Sequence, residues 1–235
     1  MSARRLFAGI DVGGRRKGFH IAVLDYERNV VDERRETAAT EAARFLAGRG
    51  VDVVAVDSPL GAAEPGEHGR KCEYEFLARK VCGIRLTPDE ATIRREHPTD
   101  FYGWISHGWE LYEALDIRAH EECWEVVECF PTATWSLLYG RRPRGVSRAV
   151  WSRRALDHLP VKRCAGRLNQ DQRDALAAAY TAWLHRRGET DPTLVSCRLR
   201  PEPPFSAATG TTRASLRRTV VAAPRQRSDL LGRAP

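Results

Sequence analysis

Five carboxylates fall where regular elements would start or stop. Asp11 closes an apolar run at 6–11, Asp57 closes the β-branched run at 51–56, and Glu128 sits near the end of 124–130. Asp171 and Asp174 lie near the start of a long segment that begins at Asn169. Residues three apart share a helix face, so that last pair can be aimed at one sheet edge. Grouped carboxylates repel, and either their pKa values rise or a divalent cation neutralises them. Hard oxygen donors with open water positions suit Mg²⁺ or Mn²⁺, and two such ions can hold the attacking water and the leaving oxygen of a phosphodiester. Each acid alone also has a plainer reading. An acid at a strand end can simply face water, and one in a helix's first turn complements the helix dipole.

Other groups with chemical potential surround this set in the sequence. The basic turn Arg15-Arg16-Lys17 follows Asp11 and can hold a substrate phosphate, or else be a solvated hairpin tip. Tyr102, Trp104, Trp109 and Tyr112 can stack bases, although near-helical spacing in an amphipathic stretch also fits a core. His107 and His120 are candidate proton shuttles or satisfied histidines. The six cysteines are dispersed without a C-x-x-C pair, and the lone H-x-x-C of His120 and Cys123 is read as incidental; reduced, buried thiols are expected.

The elements that must position these residues can be read from periodicity and breakers. Strands are expected at 6–11, 19–24 and 29–33, joined by the Gly-rich turn 12–18 into an antiparallel meander. A helix over 41–48, a strand over 51–56 and an elaborated insertion over about 60–123 follow, the insertion carrying helices near 70–80 and 107–115. A strand at 124–130, short helices at 134–139 and 150–159 and a long helix over 169–187, bounded by Gly188 and Pro192, complete the domain. Asp57 and Glu128 share an edge with Asp11 if their strands run parallel to the first.

The chain has 235 residues, 42% of them hydrophobic and 29% charged, with a formal net charge of +7. These values fit one globular domain and exclude a collagen, a coiled-coil rod or a wholly disordered chain. After residue 195, eight Arg stand against Glu202 and Asp229, which places six of the seven net charges in the last 40 residues. Domain 1–190 is therefore nearly neutral. The Pro-, Arg-, Ser- and Thr-rich stretch 191–235 is expected to be a mostly disordered tail, with a modest strand or helix near 216–222 left open. No apolar run approaches the roughly 18 residues of a membrane span, and 6–10 is too short for a signal core, so the protein is expected to be cytoplasmic.

Several motifs in this order resemble a known family. Gly9-Ile-Asp-Val-Gly13, Ala55-Val-Asp-Ser-Pro-Leu60, Arg70-Lys-Cys-Glu73, Gly83-Ile84, Glu128-Cys-Phe-Pro131 with Trp135, and the run from Asn169 to Ala179 are similar to DUF429, a family regarded as predicted nucleases of ribonuclease H-like fold. The segment Asp171-x-x-Asp174-Ala-Leu-Ala is also similar to the last catalytic helix of Holliday-junction resolvases. The resemblance spans about residues 5–188. It implies an α/β fold, a ribonuclease H-like mixed five-stranded sheet with flanking helices and a helical insertion. It further implies a metal set of Asp11, Asp57, Glu128 and Asp174, with Asp171 as an alternative or additional ligand, a Mg or Mn cofactor and nucleic acid as partner. The expected activity is a metal-dependent nuclease, a hydrolase of DNA or RNA. A non-catalytic binding or regulatory module on the same fold is one alternative. An actin- or sugar-kinase-like ATP-dependent enzyme is another, because Gly9-Ile-Asp-Val-Gly-Gly14 resembles the first phosphate loop of those proteins; Gly13-Gly14 is, however, the only Gly-Gly in the chain.

Overall fold

The computed structural model describes residues 5–95, 101–163, 166–190 and 221–222. Its sheet is built around β1 (Leu6–Val12), which is buried along its whole length. A continuous apolar strand is what a sheet covered on both faces requires. β1 pairs antiparallel with β2 (Phe19–Asp25), and β2 with β3 (Val30–Glu36), whose charged side chains lie at the sheet edge. On its other side β1 pairs parallel with β4 (Val51–Asp57), and β4 with β5 (Glu125–Cys129). This antiparallel meander followed by parallel strands is the expected ribonuclease H-like mixed sheet. A sixth, two-residue strand, β6 (Val221–Ala222), runs parallel to β5, so the segment near 216–222 does add a strand to the five expected. The rest of the tail, 191–220 and 223–235, lies outside the described residues.

Strand alternation gives the sheet two unlike faces. One packs on α1 (Ala39–Leu46) and α4 (Gly103–Glu122) through Ala8, Ile10, Val54, Val56, Leu111 and Leu115. The other packs on α5 (Pro131–Tyr139), α6 (Arg148–Ala155) and α7 (Gln170–Arg186) through Phe7, Ala55, Val127, Trp135, Trp151 and the alanines of α7. Asn169 caps α7 reciprocally: its side chain accepts from the Gln172 amide while the Gln172 side chain accepts from the Asn169 amide. The Ala-rich stripe then lets α7 lie directly on β1. A Cβ at Gly9 would stand 2.0 Å from the Ala179 nitrogen and 2.3 Å from the Ala175 oxygen, so only glycine admits this backbone-to-backbone approach.

The insertion differs from expectation in detail. α2 (Lys71–Ala78) lies where expected, but α4 spans 20 residues rather than the shorter run at 107–115. α3 (Glu90–Arg95) was not legible between the flanking prolines. α5 starts at Pro131, because a proline that stops a strand is also well suited to a helix's first turn. Cys72 is disulfide-bonded, contrary to the expectation of reduced thiols throughout, whereas Cys82, Cys123 and Cys129 are free.

Candidate active site

Asp11 and Asp57 are register partners at the ends of adjacent parallel strands. In each strand the odd-numbered residues, Phe7 in β1 and Val53 and Ala55 in β4, enter the core under α7, so both carboxyls emerge on the α7 side. Asp11 is buried beside Asp57, close enough for each carboxyl to act on the other's charge. Asp174, one turn into α7 and 1% exposed, completes the group from above. Its Oδ1 accepts from Trp135 Nε1 at 2.9 Å and its Oδ2 from Gln170 Nε2 at 2.6 Å, which fixes its orientation.

An unexpected cation sits among these acids. Arg148, the first residue of α6, places Nη2 at 3.0 Å from Asp174 Oδ2 and 4.0 Å from Asp57 Oδ2. The Nη2 approach is close enough for ion pairing but is not aligned as a hydrogen bond, and Nε and Nη2 are buried with no hydrogen-bond partner. Ser147 caps α6 by accepting from the Val150 amide, which holds Arg148 at the helix start.

Glu128 departs from the set expected for it. It pairs in register with Val56, not Asp57, so its side chain emerges on the opposite face of the sheet. There it accepts from Arg70 at both oxygens, Nη1 at 2.8 Å and Nη2 at 2.5 Å, and from the Leu60 amide at 2.9 Å. Arg70 Nε donates to Glu73, which also accepts from the Thr87 amide and hydroxyl. A one-residue offset between β4 and β5 therefore turns the fourth expected ligand into part of a buried ion-pair network.

Asp171 lies beside the group rather than in it. Lys17 Nζ donates to both of its oxygens at 3.1 Å, and His20 Nε2 stands 3.8 Å away. The other basic-turn residues behave differently: Arg15 pairs with Glu110 at 2.6 Å, and Arg35 braces the turn by donating to the carbonyls of Arg16 and Lys17. His107 is buried against Phe19 with Nδ1 2.9 Å from the Gly13 carbonyl, and thus fixes the base of the turn. Trp109 and Tyr112 donate to the carbonyls of Pro59 and Ser58, tying α4 to the end of β4. The side chain of His120 lies outside the described residues.

Burial sets the electrostatics. Desolvation, together with Asp57, Asp174 and Asp171, pushes Asp11 well above the usual carboxylate range. Burial likewise raises Asp57 to about 7; Arg148 pulls it down, and Asp174 and Glu128 push it up. Burial alone would disfavour the Arg148 cation, but Asp174, Asp57, Asp11 and Asp171 together raise its pKa. The neighbouring Cys129 thiol is driven well above its ordinary value, chiefly by burial and then by the same acids, which removes it as a nucleophile at neutral pH.

The donor chemistry of Asp11, Asp57 and Asp174 fits a hard divalent cation. The Arg148 guanidinium stands where part of that charge would be compensated. With Arg148 between Asp57 and Asp174, no group of three or more His, Cys, Asp or Glu among the described residues is drawn together closely enough to hold an ion. The sequence offered little sign of Arg148. It is one of several arginines in 141–154, and only its position at the start of α6 separates it from the others.

Comparison with known proteins gives one family. Residues 9–197 match the family described as "Protein of unknown function (DUF429)". Among solved structures the chain is similar to Thermus thermophilus RuvC, with 19% identity and a TM-score of 0.38 over 78% of this chain and 96% of that one. It is also similar to T. thermophilus RuvC in complex with Holliday junction substrate, with 18% identity and a TM-score of 0.39 over 78% and 96% of the two chains. No curated protein matches.

Proposed function

The chain belongs to the DUF429 family, and for it we propose a metal-dependent nuclease activity, the hydrolysis of phosphodiester bonds in DNA or RNA. The observation that carries this reading is the convergence of Asp11, Asp57 and Asp174 on one buried edge, where the Arg148 guanidinium lies 3.0 Å from Asp174 and 4.0 Å from Asp57. Asp11, Asp57 and Asp174 would hold Mg²⁺ or Mn²⁺. Asp171, now paired with Lys17, would be an additional ligand. When bound, the cation supplies the positive charge that favours attack of water on phosphorus and departure of the leaving oxygen.

The chain's own residues supply the rest. Trp135 and Gln170 hold the Asp174 carboxylate in one orientation, so it meets a cation without rotamer loss. Arg148, beside Asp57 and Asp174, would add a positive charge near a substrate phosphate. Lys17 and Arg16, on the turn beside Asp11, extend positive charge toward the flanking backbone. The proton that burial favours on Asp57 must leave as a cation enters, so cation binding strengthens as pH rises through about 7.

The test is incubation of the pure protein with branched DNA, single strands and RNA–DNA hybrid in Mn²⁺. Cleavage is expected, with Asp11→Asn or Asp174→Asn reducing it by on the order of 100-fold or more. Uncut substrates, or an Asp11→Asn protein that cuts as well as wild type, would overturn the assignment. A folded protein that binds no divalent cation by calorimetry would instead be a non-catalytic binding module. The ATP-dependent reading gains no support from the Gly13-Gly14 turn, whose amides at Gly13, Lys17 and Gly18 are already spent on carbonyls within the turn.

A further inference from the structure

A second concavity opens on the other side of Asp57. It lies at the carboxyl ends of β4 and β5, between α2, the 84–87 segment and the start of α4. Open α/β sheets bind their ligands at this end of the parallel strands. Its walls include Phe76, Phe130 and the half-buried Trp104. Phe76 and Phe130 meet edge to face with centroids 5.9 Å apart.

The floor of the cleft discriminates between ligands by charge. Arg70, Glu73 and Glu128 all line it, each less than 10% exposed, and one guanidinium faces two carboxylates there. The balance is negative, so a phosphate is disfavoured inside, whereas a neutral ring with donor groups is not. Ser58, 2% exposed, also lines the cleft, with its hydroxyl packed against Gly108 of α4. Positive charge is available at Arg85, an exposed cleft residue whose guanidinium lies 4.8 Å over the Phe101 ring.

Aromatic walls, a phosphate-excluding floor and an exposed arginine together describe the receptacle for one nucleobase with its phosphate left outside. Asp57 belongs both to this cleft and to the acid group. We infer that the cleft takes a single unpaired base of the substrate strand, next to the phosphodiester held at Asp11 and Asp57. This rests on the nuclease reading for its partner and adds the substrate class: strands with an unpaired, mismatched or extrudable base. A base in a perfect duplex must first be unstacked, and that cost becomes the selectivity.

The test uses full-length, metal-free protein and oligonucleotides carrying 2-aminopurine in a single strand, opposite a mismatch, or fully paired. Insertion is read by 2-aminopurine fluorescence, binding by anisotropy, and cleavage in a parallel Mn²⁺ reaction. The expected result is a fluorescence change for unpaired and mismatched 2-aminopurine but not for the paired form. Trp104→Ala, and Ile84→Trp, which fills the cleft without removing its wall, should each abolish that change and weaken single-strand binding about tenfold. If Trp104→Ala does not fold, Ile84→Trp decides. Equal responses from paired and unpaired probes, or responses unaltered in a folded variant, overturn the inference. Cleavage without base insertion overturns the cleft and spares the nuclease; insertion without cleavage does the reverse; no binding to any strand overturns both.

Discussion

Two acidic groups flank the carboxyl ends of β4 and β5, separated by the thickness of the sheet. On the α4 side, Glu128 and Glu73 are closed around Arg70, with amides of Leu60 and Thr87 and the Thr87 hydroxyl filling other acceptor sites. On the α7 side, Asp11, Asp57 and Asp174 face one arginine, two of whose nitrogens have no hydrogen-bond partner among the described residues. The first group is complete as it stands, and the second is short of positive charge. Carboxylates of similar burial at neighbouring strand ends thus serve different ends, and what separates them is which face each side chain takes and how many donors meet it there.

The widest effect that separates the two groups should come from opening the closed one. Arg70→Leu leaves Glu73 and Glu128 buried without their cation and should cost about 3–5 kcal/mol in urea unfolding, with or without divalent cation. Independence from the cation is the informative part, because stability restored by Mg²⁺ would mean that Glu128 belongs with the metal set after all. Next, Gly9→Ala forces a methyl group into the backbone of α7 and should cost about 3 kcal/mol. Because it lifts Asp174 from Asp11, it should also weaken calorimetric Mn²⁺ binding, which Arg70→Leu should not.

A smaller effect of opposite sign is expected within the open group. Asp57 rises from 3.8 when unfolded to about 7 when folded. The proton is held more tightly in the folded state, so this contribution is fully present below pH 3.8 and is lost as pH climbs through about 7. Metal-free protein should accordingly lose stability between those limits, and Asp57→Asn should gain about 2 kcal/mol at pH 8. A flat pH profile without divalent cation would contradict the raised Asp57 pKa. The smallest effect belongs to Lys17→Ala, an exposed pair with Asp171, which should shift stability by less than about 0.5 kcal/mol while reducing the salt dependence of nucleic-acid binding.

The contrast between the two groups also marks where sequence reading stops. Asp11 and Asp57 stood out because each ends an apolar run, and α7 because a long helical run from Asn169 is bounded by Gly188 and Pro192. The side taken by Glu128 was not, since it depends on pairing Glu128 with Val56, a register fixed by packing over both faces rather than by any residue in 124–130. The motif Arg70-Lys-Cys-Glu73 stood out by resemblance, but its role required knowing that the fold brings Arg70 against Glu128, 58 residues later in sequence. Arg148 was lost among neighbouring arginines for the same reason: a long side chain's target is a three-dimensional fact.

The contact between Gly9 and α7 has a consequence in time. The first strand of the sheet is closed by the last helix of the domain, so most of the chain must be synthesised before the two can meet. Until Gln170–Arg186 has left the ribosome, Asp11 and Asp57 have no third carboxylate, and the apolar face that includes Phe7 and Ala55 lacks the alanine-rich helix that completes its cover. The emerging protein carries an unfinished centre, and a single late docking event completes its core and its acids together.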